Sequence, residues 1–208
     1  MMTEQMSVKI AALPSLRLTV EAHGLMAKKA LGQNFLLDQN ITDKIINLSL
    51  QKQNKKDFSG ANVFEVGPGP GGLTRAVLAA EPKSLTVVEM DERCIAIMNE
   101  IKEKTGDILH IINGDAMQTD FSVLAPAPRH IISNLPYNIS VPLLVGWLKN
   151  INAYDSLTLM FQKEVAERIT APIKTKDYGR ISVLSQLQCR IDHLLDLNPC
   201  CFTPAPKI

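Results

Sequence analysis

The tetrapeptide Asn134-Leu135-Pro136-Tyr137 carries residue types that suit one demanding reaction. An amine conjugated into a heteroaromatic ring, such as the exocyclic amine of adenine, is a poor nucleophile because its lone pair is delocalised. Two acceptors on the amine hydrogens localise that lone pair. The Asn134 side-chain oxygen and the Leu135 backbone carbonyl are groups of the right kind. Pro136 fixes the turn and biases Leu135 away from helix. Tyr137 offers a ring for stacking on a base taken out of its helix. No strong general base is required, since the proton can leave after group transfer. Alone, such a tetrapeptide is usually a turn with a packed tyrosine; its neighbours give it weight.

The chain also contains Gly67-Pro68-Gly69-Pro70-Gly71-Gly72, a run that can turn sharply and let backbone approach a ligand. Glu89 follows 22 residues after Gly67, where an acidic side chain can accept both hydroxyls of a ribose. Asp115, in Gly-Asp-Ala, is placed to accept from an adenine amino group; its ordinary role is a turn aspartate. Two cofactor classes share this layout. A dinucleotide needs its pyrophosphate at a helix N-terminus. S-adenosylmethionine has no phosphate, and its sulfonium and amino-acid end call for carboxylates and backbone groups. Glu65 precedes the loop, and prolines 68 and 70 remove two N–H donors, so the loop suits a phosphate less well.

The elements that must hold these residues alternate. Short β-rich runs at Val63–Val66, Leu85–Val88, Ile108–Ile112, Arg129–Ser133 and Leu157–Phe161 read as strands. A sixth is expected at Ile191–Leu197. Helices are expected over Ser15–Ala22, from Asp38 through Leu48, over Leu73–Ala80, from Asp91 through Lys104, and over Pro142–Lys149, Lys163–Thr170 and Ile181–Cys189. Gln51–Gly60 reads as a polar surface loop. Such alternation predicts an α/β fold with a mainly parallel sheet and helices on both faces. Ligands bind there at the carboxyl ends of the strands, where Gly67–Gly72, Glu89, Asp115 and Asn134–Tyr137 all fall.

Composition limits the rest. With 208 residues and 46% hydrophobic content the chain can bury a core without metals or disulfides. The 22 basic and 21 acidic residues leave a charge of +1, which argues weakly against nonspecific nucleic-acid binding but allows a local basic face. No run of eighteen apolar residues is present, and the N-terminus lacks the apolar region of a signal peptide. Cys94, Cys189, Cys200 and Cys201 show no zinc-type spacing and read as reduced thiols of a cytoplasmic protein, with no metal.

Six motifs in order strengthen the functional reading: Gly32–Leu36 (Gly-Gln-Asn-Phe-Leu), Glu65–Gly69, Val88–Asp91, Gly114–Met117, Asn134–Ser140 and Phe202–Lys207. Together they resemble the small-subunit (16S) ribosomal RNA adenine N6-dimethyltransferases, the KsgA/RsmA type. The resemblance implies a class I S-adenosylmethionine-dependent methyltransferase with a Rossmann-like domain over residues 28–208 and an N-terminal helical extension at 1–27. Family members continue with a last strand and a small C-terminal helical domain, both lacking after Ile208. The implied activity is methyl transfer to N6 of two adjacent adenosines in a hairpin near the 3′ end of 16S rRNA. The implied partner is that RNA or the assembling 30S subunit, with no membrane, acted on by a monomer in the cytoplasm.

By the same resemblance, Asn34 and Leu36 would close over the cofactor, with Glu65, Gly67 and Gly69 beside it. Glu89 would hold the ribose and Asp115 the adenine. Asn134 would serve both the cofactor and the target amine, next to Leu135 and Pro136. Tyr137 and Phe202 would stack on opposite faces of the target base. Phosphate contacts need cations. Between Lys163 and Arg190 six basic residues face three acidic ones, and Arg168, Lys174, Lys176 and Arg180 are the expected RNA contacts, with Lys28 and Lys29 as a second patch. The alternatives are a large-subunit rRNA methylase of the macrolide-resistance type, a DNA adenine methylase, a non-catalytic ribosome-assembly or RNA-binding factor on the same fold, and a nicotinamide-dependent oxidoreductase.

Overall fold

The computed structural model describes residues 2–25 and 34–205. Five strands form one parallel sheet: β2 (Asn62–Val66), β3 (Ser84–Glu89), β4 (Leu109–Asn113), β5 (Arg129–Asn134) and β6 (Ser156–Met160), in the order β4-β3-β2-β5-β6. The chain runs outward from β2 through β3 to β4, then crosses to β5 and β6 on the other side. The gap between β2 and β5 is therefore the switch point where such sheets bind ligands.

Strand side chains alternate between two buried faces. Val63, Leu85, Val87 and Ile132 pack with α3 (Gln39–Lys52), α4 (Gly72–Ala79) and α5 (Glu92–Thr105). Phe64, Val66, Val88 and Ile131 pack with Phe121 of the short α6 (Phe121–Leu124) and with Leu143 and Trp147 of α7 (Tyr137–Lys149). A smaller cluster joins α7 to α8 (Lys163–Thr170) and α9 (Arg180–Gln188). Caps set the helix starts: the Asp38 and Asp91 carboxylates accept from the Asn40 and Arg93 N–H groups.

The N-terminal segment folds onto the same core. It forms α1 (Met2–Ala11) and α2 (Leu16–Ala22), and Ser15 caps α2. Leu16 and Val20 are buried. The buried Arg75 of α4 donates to the Pro14 carbonyl (2.6 Å) and to Thr19 Oγ1 (3.3 Å), so it clamps the turn between the two helices.

Three sequence expectations need correction. The seventh helix starts at Tyr137, not Pro142; Pro142 lies inside it and has no N–H to give the Asn138 carbonyl. Ile191–Leu197 makes no ladder and is not a strand. Its Leu195 and Leu197 instead pack on the α3–α4 side of the core, while Asp192 and the preceding Arg190 tie to Lys52 at the end of α3. The loop after α3 is not wholly polar surface, because Phe58 is buried there. A two-residue antiparallel ladder also forms, joining β1 (Phe35–Leu36) to β7 (Phe202–Thr203).

Candidate functional site

A cavity of about 320 Å³ opens at the carboxyl ends of β2, β3 and β5. That is within the usual range for a small-molecule site. It is lined by Asn34–Leu36, Glu65, the loop after β2, Glu89 and residues 134–138. The expected Asn34, Leu36, Glu65, Gly67, Gly69, Glu89, Asn134, Leu135, Pro136 and Tyr137 thus converge on one volume, from segments 100 residues apart (the Asn34–Asn134 separation).

The loop's geometry limits what it can hold. Gly67 and Gly69 sit at φ +65° and +54°, a region that favours glycine. The Gly67 N–H donates to the Val88 carbonyl (2.9 Å), and the Gly71 N–H to the Pro68 carbonyl (3.0 Å). The Gly69 N–H bonds the Glu89 carboxylate. Pro68 and Pro70 have none. From 67 to 71 the loop has no N–H left for a pyrophosphate, and two carboxyls face the same space. The loop itself thus offers little to a pyrophosphate, and the two carboxyls favour a ligand with a cationic end.

Both carboxyls are buried. Glu65 Oε2 accepts from the Thr74 hydroxyl at 2.7 Å. Burial, with Glu89 nearby, pushes the Glu65 carboxyl up to about 8. Burial also raises Glu89, against the pull of the N–H groups that its carboxylate accepts. Those of Met90 (2.8 Å) and Asp91 (2.9 Å) both reach Oε1.

On the β5 side, the Asn134 Nδ2 donates to the Asn34 carbonyl (3.4 Å), which leaves Oδ1 as the amide's acceptor end. The preceding residue is also fixed, since Ser133 Oγ donates to the Val66 carbonyl at 2.6 Å. Tyr137 is half-buried at the first turn of α7, beside this group.

Other expected residues lie elsewhere. Asp115 follows β4 beside Glu89, for the Gly114 N–H donates to the Glu89 carbonyl (3.0 Å). Its side chain accepts from the Met117 N–H (2.8 Å) and is not part of the cavity wall. Phe202 pairs with Leu36 across the β1–β7 ladder and also stands outside the wall. Arg168, Lys174, Lys176 and Arg180 are exposed on α8, α9 and the loop between them, away from the cavity wall. Gln186 pins that loop's base, donating to the Ile169 (3.0 Å) and Ala171 (2.9 Å) carbonyls. Lys28 and Lys29 lie outside the described residues. Phe35, Leu73, Asn138 and Thr74 were not anticipated. Phe35 packs against Gly69, where an added Cβ would come within 3.0 Å of its ring; an apolar wall residue leaves no chemical signature in a sequence.

Among the described residues no group of three or more His, Cys, Asp or Glu could hold a metal ion, and no helix is long and apolar enough to cross a membrane.

Comparison with known proteins agrees with this geometry. A family model described as ribosomal RNA adenine dimethylase matches residues 24–208. A ribosomal RNA small subunit methyltransferase A from Rhodospirillum rubrum is 45% identical over 196 residues, 94% of this chain and 66% of the relative. One from Gluconobacter oxydans is 49% identical over 197 residues, 95% of this chain and 63% of the relative. A crystal structure of a dimethyladenosine transferase from Plasmodium falciparum superposes with a TM-score of 0.71 at 31% identity, covering 82% of this chain and 58% of that one. The chain spans under two thirds of the length of each of these three.

Proposed function

Because the chain belongs to the ribosomal RNA adenine dimethylase family, we propose that it transfers methyl groups from S-adenosylmethionine to N6 of two adjacent adenosines in a hairpin near the 3′ end of 16S rRNA. It does so as a cytoplasmic monomer acting on the assembling small subunit. The observation that carries this reading is that one cavity joins two buried carboxyls, suited to a cation, with the acceptor groups of residues 134 and 135.

The cofactor supplies an electrophilic methyl group. Glu89 holds the ribose hydroxyls; three backbone N–H groups fix the carboxylate for that role. Asp115, one strand further out, receives the adenine amino group. Gly67 and Gly69 let the backbone pass close to the ligand. Asn34 and Leu36 form the opposite wall, and the bond from Asn134 to the Asn34 carbonyl couples that wall to the reacting group.

Asn134 Oδ1 and the Leu135 carbonyl accept the two hydrogens of the target amine. They pull its lone pair out of conjugation, and their hold strengthens as the nitrogen becomes positive. Tyr137 stacks on the extruded adenine, and Phe202 closes on its other face from the ladder beside Leu36. Each stack contributes about 1–3 kcal/mol. Arg168, Lys174, Lys176 and Arg180 contact RNA phosphates, with Lys28 and Lys29 as a second grip. Among the described residues none of the first four is held in an ion pair.

The test is tritiated methyl transfer from S-adenosylmethionine to unmodified small ribosomal subunits, followed by nucleoside analysis. N6,N6-dimethyladenosine is the expected product. Failure to bind the cofactor, or label in another nucleoside, would overturn the reading.

A further inference from the structure

Glu65 is 1% exposed and yet contributes to the cavity wall. A carboxylate buried so deeply calls for a cation, and the described residues supply none. Glu89 on β3 is like-charged. Arg75 of α4 is turned to Pro14 and Thr19. At the start of α5, Arg93 is paired with Asp91 at 2.6 Å, and the Cys94 thiol is pushed up by burial and the neighbouring acids. Asn134 on β5 and Asn34 before β1 face the cavity as neutral amides. Among the described residues no cation pairs with Glu65. Without a ligand, the group is most stable as the neutral acid.

The surroundings suit both of its charge states. Thr74 Oγ1 lies 2.7 Å from Glu65 Oε2 and 3.8 Å from Met98 Sδ. When Glu65 is ionised, the hydroxyl donates to it. When Glu65 is protonated, the acid can donate to the hydroxyl, which then turns its own hydrogen to the sulfur. Either way no buried polar atom is stranded, so a proton can leave without repacking the wall.

We propose that Glu65 selects ligands with a positively charged tail, and that it releases its own proton to solvent as such a tail enters the cavity. The carboxylic acid becomes a carboxylate, the proton goes to the buffer, and the ligand's charge replaces it. The inference rests on the cofactor reading above and adds that binding is coupled to proton release. It also gives the cavity a means of rejecting adenosine derivatives without a cationic tail, which would leave Glu65 protonated and gain no ion pair.

The test is isothermal titration calorimetry of the whole chain at pH 6.5, in phosphate and in imidazole buffer. At that pH an α-amino group, with a pKa of about 8, is already charged. The probes are S-adenosylmethionine and 5′-methylthioadenosine, which lacks the amino-acid tail and the sulfonium. The expected result is nearly one proton released per S-adenosylmethionine bound, and none with 5′-methylthioadenosine. Affinity for the tailed ligand should rise close to tenfold per pH unit from 6 to 7, as linkage of one proton requires, and less steeply above that as Glu65 and the ligand's own amino group begin to lose their protons. In Glu65→Gln both the release and the slope should vanish. Release that persists in Glu65→Gln, or binding by the parent chain without release, overturns the inference and leaves the cofactor reading standing. No binding of either probe overturns both together.

If Glu65→Gln does not fold, Thr74→Val carries the test. Removing the donor to the ionised form should weaken S-adenosylmethionine several-fold and leave 5′-methylthioadenosine unchanged. Equal loss for both probes overturns the inference.

Discussion

At the scale of single residues, the proposed reaction depends on which end of a side chain is left facing the cavity. The Asn134 amide is turned by its bond to the Asn34 carbonyl, so its oxygen is the end left for a target amine. Replacing it by alanine removes an acceptor that matters most as the amine gains charge. Asn134→Ala should therefore reduce single-turnover methyl transfer at saturating cofactor by at least about a hundredfold, a loss much larger than any fall in cofactor affinity by calorimetry. Retained transfer would remove the mechanism. Glu89 is the converse case, since its carboxylate is fixed before any ligand arrives. Glu89→Ala should weaken cofactor binding by about 1–3 kcal/mol, the scale of a lost charged hydrogen bond; unchanged affinity would mean the ribose is held elsewhere. These residues were legible in the sequence because each is a polar or conformationally special type at a strand end. Phe35 was not, since an apolar wall residue looks like any core residue. For Asp115 the structure shows the turn role that the sequence also offered, with the side chain off the cavity wall.

At the scale of elements, local signals located those whose partners are near in sequence. Asp38 and Asp91 cap the helices expected to follow them. Short β-rich runs marked the five strands of the sheet. Two elements were misread because the deciding interaction is tertiary. Pro142 looked like a first-turn proline, but burial of Leu143, Leu144 and Trp147 holds α7 together around it. Ile191–Leu197 has the composition of a strand, but strands require a partner, and its leucines found the helical side of the core instead. The β1–β7 ladder joins segments at opposite ends of the chain, which no local pattern predicts.

The glycine loop allows a quantitative test at this same scale. Gly71 sits at φ +88°, and a Cβ there would lie 2.7 Å from Ile101 Cδ1. Gly60 sits at φ +77° with nothing within 4 Å. Gly71→Ala should cost about 2–4 kcal/mol, the sum of left-handed strain and overpacking. Gly60→Ala should cost about 1–2 kcal/mol, from strain alone. Thermal melts of the two variants compare the terms directly. Equal losses would show that α5 yields to make room, and that the loop is less tightly cradled than its packing indicates.

At the scale of the whole molecule, the two ends of the sheet titrate in opposite senses. Glu65, at the carboxyl end of β2, is raised by burial from 4.5 to about 8. His130, at the start of β5, is completely buried. Burial and the neighbouring Lys55 ammonium lower it from 6.5 to about 4, with Asp155 opposing. Its Nε2 lies 3.0 Å from Lys55 Nζ, which can only donate, so Nδ1 carries the hydrogen and donates to Ser156 Oγ at 2.7 Å. The signs follow from which state holds more protons. Between about pH 4.5 and 6.5 the folded chain keeps the Glu65 proton that the unfolded chain has lost. Over the same range it refuses the His130 proton that the unfolded chain accepts, so the two effects cancel. Above pH 6.5 only the Glu65 difference remains, and stability should fall by about 1.4 kcal/mol per pH unit until about pH 8. Chemical denaturation at pH 5, 6.5 and 8 should give a plateau and then a loss of about 2 kcal/mol. In Glu65→Gln that loss should shrink by most of its amount, and with the cancellation gone the His130 difference alone should make stability rise by about 1.4 kcal/mol per pH unit from about pH 4.5 to 6.5. If the decline above pH 6.5 persists undiminished in Glu65→Gln, then Glu65 is ionised in the ligand-free fold, and the neutral acid beneath the glycine loop is ruled out at once as a feature of the site and as a cost to the fold.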